Sequence, residues 1–128
     1  MTSDAVKKKD LLWIPGTKDD LMDMPDEIRT NFGYGLYQAQ IGGHPDIAKP
    51  LTGFGGASVL ELVEDHQSGT YRAVYTVKFE EAIVILHVFQ KKSKRNIKTP
   101  KQDIDLIHER LKWAKVIYQE WKKKKDSK

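Results

Sequence analysis

The chain of 128 residues contains no cysteine. That excludes disulfides, thiolate nucleophiles and cysteine–zinc sites. Long apolar runs are also missing. The longest wholly apolar stretch, Ala82 to Leu86, falls far short of the ~20 residues that a membrane helix needs. No apolar segment follows the basic start MTSDAVKKKD, so a secretory signal is not expected and the cytoplasm is the expected compartment. The templates of several enzyme classes are absent too. There is no G-x-S-x-G elbow and no P-loop. The four histidines, His44, His66, His87 and His108, lack metal-ligand spacing. No cofactor and no metal are expected. Gly53-Phe54-Gly55-Gly56 is glycine-rich, but without a following lysine and helix it reads as a turn into a strand.

What is present is an uneven distribution of charge. The net formal charge is +4, but residues 1–89 carry −5 and residues 90–128 carry +9. A basic last third suggests a polyanionic partner or a solvated lysine-rich helix. Hydrophobic residues make up 39% and the mean hydropathy is −0.59, which suits a soluble domain. The length fits one domain over 1–128, with 1–9 and 122–128 expected as flexible ends.

Patterning predicts an α+β fold. Leu11 to Ile14 reads as a first strand, ended by Pro15-Gly16. Thr17 to Met22 reads as a helical turn capped by Thr17. Pro25 suits the first position of a helix whose apolar face is Ile28, Phe32, Leu36 and Ala39. Gly42-Gly43 and Pro45 end it, and 47–56 reads as a loop. Ser58 to Glu64 and Tyr71 to Phe79 alternate as strands, and Ala82 to Phe89 is apolar enough for a central strand. Joined by short turns, these three form an antiparallel meander. Thr99-Pro100-Lys101-Gln102 opens a last helix, with Thr99 as cap and Pro100 in first position. Its stripe of Ile104, Ile107, Leu111, Ala114, Tyr118 and Trp121 is suited to packing on the sheet.

The candidate site is the set Arg72, His87, Lys91, Lys92, Ser93, Lys94 and Arg95. Arg72 interrupts an apolar alternation, and His87 lies on the neighbouring strand, which Lys91 and Lys92 terminate. Gathered on one sheet face, a guanidinium, an imidazole and ammonium groups suit a phosphodiester. In RNA the 2′-hydroxyl can attack the adjacent phosphate, given cations for the developing oxyanion and an acid/base pair. An edge arginine and a solvated lysine loop would be the ordinary structural alternative.

The runs Lys49-Pro50-Leu51-Thr52-Gly53-Phe54-Gly55, Val59-Leu60-Glu61-Leu62 and Tyr71-Arg72-Ala73-Val74-Tyr75 resemble the core of RelE/ParE-superfamily toxins. Leu86-His87-Val88-Phe89-Gln90-Lys91-Lys92-Ser93, followed by Thr99-Pro100-Lys101-Gln102-Asp103-Ile104, is similar to the HigB-like, phage-derived branch. The resemblance covers about residues 10–115. It implies a RelE-like fold and the toxin of a type II toxin–antitoxin pair. It further implies ribosome-associated mRNA cleavage by a metal-independent endoribonuclease. The implied partners are a helix-turn-helix antitoxin, mRNA and the ribosome, with operator DNA reached only through the antitoxin and no membrane. By the family pattern Arg72 is the arginine at the phosphate and Lys91 and Lys92 are basic residues beside it. Lys49 matches a loop lysine that contacts RNA or ribosome, and Ser93, Lys94, Arg95 and Lys98 extend that surface. The role of His87 is inferred from its place in the motif. The family's C-terminal catalytic tyrosine has no clear counterpart. Tyr118 lies on the packing stripe, and Tyr75 is a candidate only by nearness to Arg72. A gyrase-inhibiting toxin on the same fold, and a non-catalytic nucleic-acid-binding module, are the alternative readings.

Overall fold

The computed structural model describes residues 7–56, 58–91 and 98–127. In chain order the elements are β1 (Asp10–Trp13), α1 (Thr17–Met22), α2 (Asp26–Gln40), β2 (Ala48–Pro50), β3 (Val59–His66), β4 (Gly69–Thr76), β5 (Ala82–Lys91) and α3 (Lys101–Asp126). The five strands form one sheet in the order β1-β5-β4-β3-β2. β1 runs parallel to β5, and every other pairing is antiparallel. This is the α+β arrangement expected from the pattern, with the meander β3-β4-β5 at its heart.

The sheet is larger than the pattern suggested. β2 lies in the stretch read as loop, where Lys49 pairs with Glu61 and Pro50 with Leu60. Three residues are too few to show alternation, and a strand proline reads as a break. Proline is tolerated here because β2 is an edge strand, where its missing N–H costs no ladder bond.

Both helix-opening prolines stand one residue earlier than expected. Pro25 (φ −54°, ψ 149°) and Pro100 (φ −59°, ψ 151°) occupy the flanking cap positions with extended backbone. Each contributes its carbonyl, which accepts the amide of Arg29 at 2.9 Å and of Ile104 at 3.0 Å respectively. Neither Thr17 nor Thr99 caps its helix by a side-chain bond. Thr17 lies inside α1 and its hydroxyl donates to the Ile14 carbonyl at 2.7 Å. Gly42 (φ 87°) ends α2 in the left-handed conformation that favours glycine.

Two cores sandwich the sheet. On one side α1 and α2 cover Leu62, Tyr71, Ala73, Tyr75, Ile83, Ile85 and Val88 with Leu21, Ile28, Phe32 and Leu36. On the other side α3 covers Val59, Val74, Val84 and Leu86 with Ile107 and Ala114, and Ile104, Leu111 and Tyr118 pack at its margin. The predicted α3 stripe is therefore the packing stripe. Tyr118 stacks on Phe79 (centroids 4.6 Å apart) and its hydroxyl accepts the Glu81 amide. Where fraying is expected beyond residue 121, α3 continues to Asp126, and Lys122 and Lys125 both clasp Glu81. Among the described residues no helix is long and apolar enough to cross a membrane.

Candidate functional site

Register brings the predicted residues to one face. Arg72 lies opposite Phe89, Val74 opposite His87 and Thr70 opposite Lys91. On the other flank Glu61 lies opposite Val74, and Lys49 opposite Glu61. Cross-strand partners share a face. Lys49, Glu61, Arg72, His87 and Lys91 thus all point toward α3. A bulge makes this possible. Tyr75 pairs with Ile85 while Val74 pairs with His87, so Leu86 has no partner of its own. The extra residue reverses the alternation of β5, so that Leu86 and His87 both face α3.

Arg72 is 1% exposed. Its Nη1 donates to Glu61 Oε1 at 2.9 Å and to Thr99 Oγ1 at 3.3 Å, while the Thr99 hydroxyl donates to Glu61 Oε2 at 2.9 Å. The guanidinium therefore already holds an anion inside the protein. Lys49 Nζ reaches the same carboxylate from outside at 3.9 Å. Beside this knot a cavity of about 280 Å³ opens, lined by Lys49, Pro50, Thr52, Glu61, Lys98 and Thr99. A ligand entering it meets the lysines first and reaches Arg72 only behind Glu61 and Thr99.

A second knot pins His87. Its Nε2 lies 2.9 Å from Asp103 Oδ1, and Arg110 Nη1 lies 3.3 Å from its Nδ1. A guanidinium can only donate. The compatible tautomer therefore accepts at Nδ1 and donates from Nε2 to Asp103. The same Arg110 nitrogen bonds the Leu86 carbonyl at 3.0 Å, and the imidazole stacks on Phe89. Burial pushes the His87 pKa below the ordinary 6.5. The Asp103 hydrogen bond opposes that shift, and the Arg110 charge adds to it. His87 is thus held neutral with both ring nitrogens engaged.

Of the other predicted residues, Lys91 ends β5 on the same face and Lys98 stands exposed at the cavity. Lys92, Ser93, Lys94 and Arg95 lie outside the described residues. Tyr75, a neighbour of Arg72 in sequence distance only, is on the opposite face within the α2 core. Burial pushes its hydroxyl up to about 12. A tyrosine there cannot serve chemistry beside Arg72.

Four polar residues of the site were not singled out by sequence. Glu61 carries the same signal as Arg72, a charge in the apolar alternation of a strand, and pairing the two anomalies would have found it. Thr99 reads as a cap because its position fits one. Asp103 and Arg110 look like ordinary helix-surface residues until the register of β5 is known.

The arrangement is that of an α+β domain whose last helix closes over a buried cationic and imidazole cluster on a sheet. Residues 19–112 match the family described as phage-derived protein Gp49-like. That match spans most of the chain, which belongs to this family. No curated protein matches the chain at a significant level. Among solved structures it is similar to a chain of the RelBE2 toxin–antitoxin complex of Mycobacterium tuberculosis. Identity is 18% and the TM-score is 0.45, over 71% of this chain and 100% of that one.

Proposed function

We propose that the protein is the toxin of a type II toxin–antitoxin pair and acts as a metal-independent endoribonuclease on mRNA at the ribosome. The observation that carries this reading is the convergence of Lys49, Arg72, His87, Lys91 and Lys98 at one end of one sheet face. Family membership and the sequence resemblance support it. In this reading the exposed lysines draw a phosphodiester into the cavity, and Arg72 exchanges the Glu61 carboxylate for phosphate, one anion for another. The 2′-hydroxyl attacks phosphorus, the 2′-oxygen–phosphorus bond forms, and the bond to the 5′-oxygen breaks. Lys91, Lys92 and Arg72 stabilise the charge on the phosphorane oxygens. His87 takes the 2′-hydroxyl proton once Arg110 releases Nδ1, and then returns a proton to the leaving oxygen. Ser93, Lys94, Arg95 and Lys98 extend the RNA surface. A small helix-turn-helix antitoxin neutralises the protein in the cytoplasm and carries the pair to operator DNA.

The test is to induce the protein without antitoxin and map mRNA ends with and without ribosomes. Arg72→Ala combines a fold effect with a chemical one, so the pair Lys49→Ala/Lys91→Ala, one exposed and one half-buried at a strand end, is the cleaner variant. New mRNA ends from wild type, lost in the folded double variant, are expected. Intact mRNA with growth arrest and a DNA-damage response would replace this reading with gyrase inhibition.

A further inference from the structure

The sheet-facing stripe of α3 is accounted for by packing, but the helix carries a second stripe. At ~100° per residue, Lys101, His108, Lys112, Lys115, Gln119, Lys122 and Lys123 fall within about 60° of one line. Lys101, Lys112, Lys115 and Lys123 are exposed. The stripe starts beside the cavity rim, where Lys49 and Lys98 stand, and runs about 33 Å at ~1.5 Å per residue. The acidic residues of α3 along it are Asp105 and Asp126, with Glu109 on its flank, and at its far end Glu81 of the sheet holds Lys122. Those of the helix form surface pairs: Lys101–Asp105 at 2.9 Å, Lys112–Glu109 at 3.8 Å and Lys122–Asp126 at 3.5 Å. Such pairs are weak and exchange readily for another anion. Lys115 and Lys123 have no carboxylate partner among the described residues.

One ring system interrupts the lysines. His108 stacks on Phe54, with centroids 4.1 Å apart and planes 22° from parallel. Phe54 sits between Gly53 (φ 102°) and Gly55 (φ 70°), two left-handed positions that carry it out of the β2–β3 connection onto α3. An aromatic platform among basic residues is the makeup of a single-strand binding track.

We propose that this stripe is an RNA track: a single strand lies along α3 from the cavity to the C-terminal lysines, its backbone on the lysines and a base against the Phe54–His108 pair. The proposal rests on the RNA-directed reading of the cavity and adds the path by which the strand leaves it. An acidic protein segment is disfavoured by placement. Of the exposed apolar residues that would anchor a protein, Leu106 and Trp113 lie about a third of a turn away from the stripe at ~100° per residue, and Val116 alone borders it, too small a patch to seat a protein segment.

The test measures binding by fluorescence anisotropy on the full chain across 50–300 mM salt. One probe is a labelled, uncleavable 2′-O-methyl single-stranded RNA, which stands for message. The other is a ribosomal subunit free of mRNA, which stands for ribosomal RNA. Lys112→Glu/Lys115→Glu is compared with Lys18→Glu/Arg29→Glu, an equal charge change on α1 and α2. We expect the α3 variant to bind single-stranded RNA about tenfold more weakly at 100 mM salt. Its slope of log affinity against log salt should fall by about 1.4, two contacts at ~0.7 each. The control should keep the wild-type slope. Phe54→Ala should weaken binding without altering the slope. Loss on the subunit alone, with single-stranded binding intact, would overturn the strand path in favour of ribosomal docking. Equal loss in the α3 variant and the control would overturn the track altogether. Cleavage is scored separately: persistent cleavage with an unchanged salt slope sinks the track but leaves the proposed function standing, and RNA binding without cleavage does the reverse.

Discussion

The two faces of the sheet are built by different rules. The face under α1 and α2 is apolar in its interior, from Leu62 and Tyr75 to Ile83 and Val88, and turns polar toward its margin, where the half-buried Glu64 accepts from Asn31 of α2 at 2.9 and 2.8 Å. The face under α3 holds every buried polar side chain of the strands: Glu61, Thr70, Arg72, Thr76 and His87. β4 shows the contrast within a single strand. It is buried along its whole length, with Tyr71, Ala73 and Tyr75 on one side and Thr70, Arg72, Val74 and Thr76 on the other. An apolar face contributes stability in proportion to the area it removes from water. A face carrying paired charges contributes little net stability, because desolvation consumes most of the Coulombic gain. Its worth lies in holding reactive groups in defined places. The first half of α3 is fastened by such groups, through Thr99, Asp103 and Arg110. Its second half is fastened by Ala114 and Tyr118.

The largest effect should come from removing the counter-ion of a buried charge. Glu61→Ala takes the carboxylate away from the Arg72 guanidinium and should cost about 3–5 kcal/mol in urea unfolding. Replacing both partners, as in Glu61→Leu/Arg72→Met, should recover most of that loss, because no uncompensated charge remains. A double variant as unstable as the single would mean that the polar face contributes net stability, and the contrast between faces would fail. On the apolar side, Leu36→Ala should cost about 3 kcal/mol through lost burial and the cavity it leaves. No second substitution of a polar residue should rescue it. Unlike changes under α3, it should leave the pH dependence of unfolding unaltered.

His87 sharpens the contrast through pH. Its folded pKa is depressed, so between that value and 6.5 the unfolded chain binds more protons than the folded one. Stability from the neutral imidazole is complete above pH 6.5 and declines as pH falls toward the folded pKa. Unfolding midpoints at pH 7.5 and 5.5 should therefore separate in wild type and draw together in His87→Gln. An unchanged separation in the variant would assign the pH dependence to other groups.

The apolar face could be read almost completely in the sequence, because burial imposes periodicity and periodicity survives in a one-dimensional string. Ile28, Phe32, Leu36 and Ala39 predicted the α2 core, and Ile104 to Tyr118 predicted that of α3. The polar face could be read only as a set of anomalies. Arg72 stood out in β4 because a charge broke an apolar alternation. Its partner Glu61 is 11 residues away and becomes a neighbour only through strand register. The bulge at Leu86 leaves no local signal, yet it decides which way His87 points. Thr99 has the sequence of a cap and the geometry of a tertiary ligand. The Phe54–His108 pair joins a glycine loop to a helix 54 residues on. Such pairings depend on the whole fold, which is why the members of the candidate cluster could be picked out of the sequence while their hydrogen-bond partners could not.

The smallest effect belongs to the counterpart of the Glu61 pair at the solvent edge. Glu81 takes Lys122 and Lys125 together, with the Lys125 contact at 3.1 Å. Hydrogen bonds from the two ammonium groups hold its carboxyl near 2, well below the usual 4.5. A depressed carboxylate contributes stability that is present above pH 4.5 and lost as pH falls toward 2. Glu81→Gln should therefore differ from wild type at pH 7 and converge on it by pH 2. Since water and ions reach this pair, 1 M salt should erase the difference at pH 7. Glu61→Ala should keep most of its effect in the same salt, because Glu61 and Arg72 are only 2% and 1% exposed and the pair is screened far less than one at the surface. Equal salt sensitivity of the two carboxylates would show that Glu61 is no better shielded than Glu81. Glu61 could then not be the internal anion that a phosphate must displace to reach Arg72.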